Sequence, residues 1–242
     1  MKKCLFFFAA FLGAVLHGVA QSSPEGGNSV AVAIVYDTSG SMGESVRDGV
    51  GKMSPKYVIA NRALTSVIAR LQEAASAKDA PRKVFCSLVV FEGTGAREAV
   101  KFGELDSEQL TAWVKAFNTP SGATPLGEAI RTAGKSLLQS KSPHKHILVL
   151  TDGINTVGPT PAEILLKLRG EAERKGSALS FYFVAFDVAA KIFDPVKKLG
   201  SMVVAAANEK ELNAQLGFIL EEKILLEAED PPAKSEKTPV KK

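Results

Sequence analysis

Cysteine is nearly absent from this chain: its 242 residues include only Cys4 and Cys86. Cys4 sits at the front of an apolar N-terminal run, so a chain that lost that run would keep one thiol and no internal disulfide. A packed core must then hold the fold, and Cys86, within an apolar strand-like stretch, reads as a buried structural thiol. Histidine is equally scarce, with three in the chain. His144 and His146 flank Lys145 just before an apolar run and read as solvent-exposed loop residues rather than a metal pair. A Ser-His-Asp hydrolase would need one of them beside Ser41, and no Gly-x-Ser-x-Gly elbow is present. The folded part has no long basic run, which argues against nucleic acid as a partner.

Long apolar runs are missing too, except at the N-terminus. There Lys2 and Lys3 precede an apolar stretch from Leu5 to Leu16, and Gly18-Val19-Ala20 offers small residues for cleavage. Residues 1–20 therefore read as a secretory signal peptide, too short to span a bilayer as a helix. No other stretch approaches spanning length, so the expected mature chain has no transmembrane segment. It is exported, to a periplasm, a cell surface or the medium. Without Lys2 and Lys3 the basic residues outnumber the acidic ones by only two. Residues 21–28 are a polar, Gly-rich linker. Residues 227–242 are rich in Pro, Lys and Glu with almost nothing apolar, and read as a disordered charged tail. Between them, residues 29–226 have the length for one domain, and the 45% apolar and 23% charged composition is that of a globular protein.

Within that domain, apolar runs and helical patterns alternate. Ser29 to Tyr36 is almost continuously apolar, as a strand buried on both faces requires. Ser54-Pro55 opens a helix whose Ala60, Ala63, Leu64, Val67 and Leu71 form one face. Lys83 to Phe91 is the next strand, and Arg97 to Phe102 alternates like a strand returning beside it. Helices are expected from Ser107 to Phe117 behind Asp106, and from Thr124-Pro125 to about Gln139. His146 to Thr151 forms another buried strand. Thr160-Pro161-Ala162-Glu163 has the residues of a capping box, and its helix places Leu165, Leu168 and Ala172 on one face. A strand from Ala178 to Phe186, a short helix from Ala190 to Leu199, a strand from Met202 to Ala205 and a helix from Glu209 to about Leu226 complete the order. The reading is an α/β fold: a doubly wound, mostly parallel central sheet flanked by helices, with one antiparallel edge strand. Ligands of such sheets bind outside the carboxyl ends of the strands.

Polar groups at those ends form a pattern. Asp37, Ser39 and Ser41 follow the first strand, Thr124 stands at a helix start, and Asp152 follows the "HILVLT" strand. Two carboxylates and three hydroxyls make an all-oxygen donor set suited to Mg²⁺, or to Ca²⁺ or Mn²⁺, rather than to Zn²⁺ or Cu. Taken singly, each residue has a plainer reading: Thr124 as a helix N-cap, Asp152-Gly153 as a strand-ending turn. Together they resemble the von Willebrand factor type A domains, whose metal-ion-dependent adhesion site reads Asp-x-Ser-x-Ser, then Thr, then Asp. The matching elements are Asp37-Thr38-Ser39-Gly40-Ser41, Thr124 in "GATPLGEAI" and Asp152 in "LVLTDG", and the resemblance runs from about Ser29 to Leu226. It implies a Rossmann-like fold. It implies that Ser39, Ser41 and Thr124 bind a cation through hydroxyls, while Asp37 and Asp152 act directly or through water. It further implies an open coordination position for an Asp or Glu of a partner protein.

Competing motifs fail. Gly122 to Glu128 has the glycine spacing of a phosphate-binding loop, but Glu128 stands where lysine is needed and would repel phosphate. No Gly-x-Gly-x-x-Gly supports a dinucleotide site. The alternative to a non-enzymatic binding module is a metal-dependent hydrolase, in which a cation activates water and Asp37 or Asp152 serves as base.

Overall fold

The computed structural model describes residues 29–78 and 82–226. The signal peptide, linker and charged tail expected from the sequence lie outside the described residues. The chain order begins with β1 (Ser29–Tyr36), a two-stranded ribbon of β2 (Ser45–Arg47) and β3 (Met53–Pro55), and α1 (Lys56–Ala75). It continues with β4 (Lys83–Glu92), β5 (Gly95–Glu104), α2 (Ser107–Ala116), α3 (Leu126–Leu137), β6 (His144–Thr151) and α4 (Pro161–Arg174). It ends with β7 (Ala178–Phe186), α5 (Asp194–Lys198), β8 (Met202–Ala206) and α6 (Glu209–Ile219).

Six strands form one sheet in the order β5-β4-β1-β6-β7-β8. Every pairing is parallel except that of β5 with β4, so the one antiparallel strand lies at an edge, as the sequence implies. β1 is buried along its whole length, which accounts for its unbroken apolar run. Its alternate side chains serve two cores. Val30, Val32, Ile34 and Tyr36 meet α1, α2 and α6, while Ala31, Ala33 and Val35 meet α3 and α4. Cys86 is buried in the first of these cores, and burial pushes its thiol up to about 12, which keeps it in the unreactive form.

To the second face β1 contributes the smaller side chains Ala31, Ala33 and Val35. α3 carries glycines at two close approaches to the α4 side. A Cβ at Gly134 would come 2.4 Å from Leu168 Cδ1, and one at Gly127 would come 1.9 Å from the Pro159 carbonyl oxygen. Gly127, which supplies a phosphate-loop spacing in the sequence, is instead required by a close backbone approach.

Several boundaries differ from the sequence reading. The polar loop after Asp37 contains a 3-10 turn (Gly40–Gly43) and the β2–β3 ribbon, too short to show a period. Pro125, not Thr124, is the N-cap of α3, and the cap residue itself supplies no side-chain hydrogen bond. Thr124 therefore lacks the capping role that would explain it alone. The expected helix over Ala190 to Leu199 divides into a 3-10 turn (Ala190–Phe193) and α5, which has Pro195 in its first turn. The last helix turns π-helical over Leu220–Leu225, holding Leu220 and Ile224 in the core. The α4 capping box is present, with Thr160 and Glu163 bonded reciprocally. His144 and His146 are not exposed loop residues: β6 starts two residues earlier than its apolar run, and His146 is buried against Tyr182.

Two predictions follow from this packing. Gly134→Ala meets only a flexible leucine and should cost about 1–2 kcal/mol, whereas Gly127→Ala must displace backbone and should cost clearly more, both read from urea midpoints. Burial, with a smaller contribution from His144, lowers His146 from 6.5 to about 3. Its neutral form is thus favoured by folding, so its contribution is complete above pH 6.5 and is lost as pH falls from there towards 3, at roughly 1.4 kcal/mol per unit. Urea midpoints measured from pH 7.5 to 4 should fall less steeply for His146→Gln than for the wild type.

Candidate functional site

After β1 the chain moves to β4 and β5 on one side, then crosses back to β6 on the other. The carboxyl ends of β1 and β6 therefore flank the point where strand order reverses, the place where a crevice opens in doubly wound sheets. Asp37 and Asp152 directly follow these two strands, and the Asp37 N–H continues the ladder by donating to the Leu150 carbonyl at 3.0 Å.

Asp37 is completely buried. Its Oδ1 accepts the Ser39 N–H at 2.8 Å and its Oδ2 accepts the Thr151 hydroxyl at 2.5 Å. Neither partner carries charge. Burial raises the carboxyl to about 6, with hydrogen bonds from Ser39 and Thr151 pulling it down and the Asp152 charge pushing it up. Beside it runs a chain of oxygens. Ser39 Oγ lies 3.1 Å from Ser41 Oγ, and Ser41 Oγ donates to Asp152 Oδ1 at 2.7 Å. Asp37, Ser39, Ser41 and Asp152 are thus linked by direct contacts.

Thr124 is brought in through backbone contacts on both sides. The Gly40 N–H donates to Gly122 and the Ser121 N–H to Thr38, at 3.2 and 2.9 Å, which fastens the Thr124 loop to the Asp37 loop. The Thr156 N–H donates to the Thr124 carbonyl at 3.0 Å, and the Thr124 N–H donates to Thr156 Oγ1 at 2.8 Å. The Gly127 N–H donates to Asn155 Oδ1 at 3.0 Å. The loop after Asp152 is therefore fastened to the start of α3, and the small Gly127 lets it come so close. Thr38 ties the same region to the end of β4 by accepting the Phe91 N–H at 3.2 Å.

Besides Thr151 and Asn155, the sequence reading does not single out Lys56, Glu44, Asp187 or Thr156. Lys56, buried at the first position of α1, puts its ammonium 3.1 Å from each of Glu44, Asp152 and Asp187. No local pattern reveals Lys56 or Glu44. Asp187 had a usable signal, since it follows the apolar run of β7 just as Asp37 and Asp152 follow theirs. It is also the one non-glycine residue with positive φ (+56°) among those described, a conformation that Asp tolerates better than most. Thr156, three residues beyond Gly153, looks like any loop threonine.

Among the described residues no group of three or more His, Cys, Asp and Glu side chains is placed to hold a metal ion. Any cation here would rest on Ser39, Ser41 and Thr124 with Asp37 and Asp152. This set is compatible with a hard divalent ion, and the enclosed Asp37 carboxylate, answered only by uncharged donors, offers such an ion an electrostatic partner. Next to the site lies a cavity of about 520 Å³, lined by residues including Thr38, Phe91, Arg97, Trp113, Phe117 and Gly122.

The von Willebrand factor type A domain profile matches residues 31–215. The chain belongs to that family. Among solved structures it is similar to the PilB minor pilin from Streptococcus sanguinis, with TM-score 0.60 and 20% identity over 82% of this chain and 62% of that one. This chain therefore spans less than two thirds of that pilin's length. It is also similar to the vWF domain of the type V pili tip protein Mfa5 from Porphyromonas gingivalis, with TM-score 0.61, 13% identity, and coverage of 81% and 95%. A third similar structure is an aerotolerance-related membrane protein from Bacteroides fragilis, with TM-score 0.50, 15% identity, and coverage of 78% and 98%. These likenesses establish the fold. No curated protein matches the chain by sequence. No helix among the described residues is long and apolar enough to cross a membrane.

Replacing Thr156 by valine removes the acceptor of the Thr124 N–H while keeping the side-chain shape. Amide exchange at Thr124 should accelerate, and global stability should fall by about 1 kcal/mol in urea denaturation.

Proposed function

We propose that this chain is an exported protein-binding module of adhesive or assembly type, in which Asp37, Ser39, Ser41, Thr124 and Asp152 hold a divalent cation that captures an acidic side chain of a partner protein. The observation that carries the reading is the fully buried Asp37 carboxylate, bonded only to uncharged donors and adjoining the Ser39–Ser41–Asp152 oxygen chain. Mg²⁺ is the first choice, with Ca²⁺ or Mn²⁺ as alternatives for the same oxygen donors. A cation held largely by neutral hydroxyls keeps unneutralised positive charge, and that charge is what a partner's Asp or Glu would meet.

Binding is favoured over catalysis by the way the two carboxylates are used. Asp37 is enclosed and hydrogen-bonded through both oxygens, and Asp152 is divided between Ser41 and Lys56. Each is committed to holding the site rather than free to take a proton from water. The similarity to a minor pilin and to a domain of a pilus tip protein accords with an adhesive role outside the cell, as does the N-terminal signal pattern.

Calorimetry should detect Mg²⁺ binding to the wild type, at least tenfold weaker for Ser39→Ala and lost for Asp37→Ala. Partner capture on the immobilised chain should require Mg²⁺, disappear with chelator, and fail with Ser39→Ala, which removes a single buried hydroxyl. Capture that ignores chelator and substitution alike would refute the cation-dependent mechanism. Mg²⁺-dependent hydrolysis abolished by the same substitutions would favour the enzyme instead.

A further inference from the structure

Lys56 is placed where general rules disfavour it. An ammonium is almost never fully buried unless paired, and at the first position of a helix it faces the positive end of the helix dipole. Yet Lys56 is 3% exposed, opens the 20-residue helix α1, and is held there by its own N–H donating to the Glu44 carbonyl at 2.8 Å. Its Nζ stands 3.1 Å from each of three carboxylates, contributed by the turn after β1 and by the ends of β6 and β7. These carboxylates are not equivalent. The side chains of Glu44 and Asp187 are 69% and 38% exposed, so water screens them, while the Asp152 side chain is fully enclosed. Lys56 acts most strongly on Asp152. The Asp152 carboxylate is consequently divided: Oδ1 accepts the Ser41 hydroxyl and Oδ2 faces the ammonium.

We propose that Lys56 is a positioning residue of the cation site, whose ammonium pins Asp152 Oδ2 and offsets its charge, so that the site holds its cation less tightly but attracts a partner's carboxylate more strongly. The proposal rests on the cation reading above and concerns how the site divides its charge. Asp152 presents only Oδ1 to the Ser39–Ser41 oxygens, and its remaining charge is shared with a cation the chain itself supplies. Removing the ammonium would return a full negative charge to the site. That change favours a bound cation and opposes an incoming carboxylate. A clasp that merely joined three loops would alter stability without moving these two affinities in opposite directions.

The test uses the full chain, calorimetry for Mg²⁺, and acetate titrated into Mg²⁺-saturated protein as the carboxylate probe. Lys56→Gln should bind Mg²⁺ about fivefold more tightly and acetate about fivefold more weakly, while Lys56→Arg, which keeps the charge, stays near wild type. Asp187→Asn is a second variant that does not remove the buried ammonium, and asparagine also tolerates positive φ. It frees Lys56 for Asp152 and should shift both affinities the opposite way, by about twofold. If the wild type binds Mg²⁺ but Lys56→Gln and Asp187→Asn leave both affinities unchanged or move them together, the proposal is overturned and the cation reading survives. A wild type that binds no Mg²⁺ overturns both.

Discussion

The constraint on which this structure turns is the enclosure of one carboxylate at the end of its central strand. A strand buried on both faces delivers Asp37 into a fully enclosed position. Charge in such a place is costly unless something answers it. The chain answers with a backbone N–H and a hydroxyl, and the carboxyl remains raised to about 6. The neighbouring carboxylate, Asp152, is treated differently: it receives both a hydroxyl and an ammonium. Two acids directly after adjacent strand ends thus carry different charge environments, and the difference arises from one lysine on α1.

Much of the fold was legible because burial leaves a periodic trace. The continuous apolar runs of β1, β6 and β7 announced strands covered on both faces, and the α4 capping box fixed a helix start to the residue. The site was legible in part, since Asp37, Ser39, Ser41 and Asp152 stand at strand ends that the runs locate. What escaped were partners distant in sequence. Lys56 reads as an ordinary first-turn lysine, and nothing within its own helix shows that Asp152 and Asp187 close over it. His146 was misplaced for the opposite reason. A polar residue before an apolar run marks a loop by pattern, yet the sheet extends past it because β1 and β7 supply ladder partners on both sides.

The glycines of α3 connect the core to this chemistry. Small residues on one face of β1 let α3 approach the sheet, and Gly127 lets the loop after Asp152 pass against its first turn. That approach allows Thr156 and Asn155 to bond the backbone around Thr124. Thr124 is therefore positioned by two neighbouring loops, through their backbone and the Thr156 hydroxyl, and not by a cap of its own. Its side chain carries no hydrogen bond among the described residues and so has no task that competes with the role proposed above, unlike Ser41, whose hydroxyl already serves Asp152.

The same geometry separates rigidity from charge. The hydrogen bonds that fasten the three loops run almost wholly between backbone groups and neutral side chains, and these are insensitive to what binds. The charged contacts converge on Lys56, where two of the three carboxylates are open to solvent. An anionic partner approaching this surface would meet loops that need not move and a charge balance that can. Preorganised backbone and adjustable electrostatics divide the work of any binding surface: the first limits the entropy lost on binding, and the second decides how strongly a charged group is held.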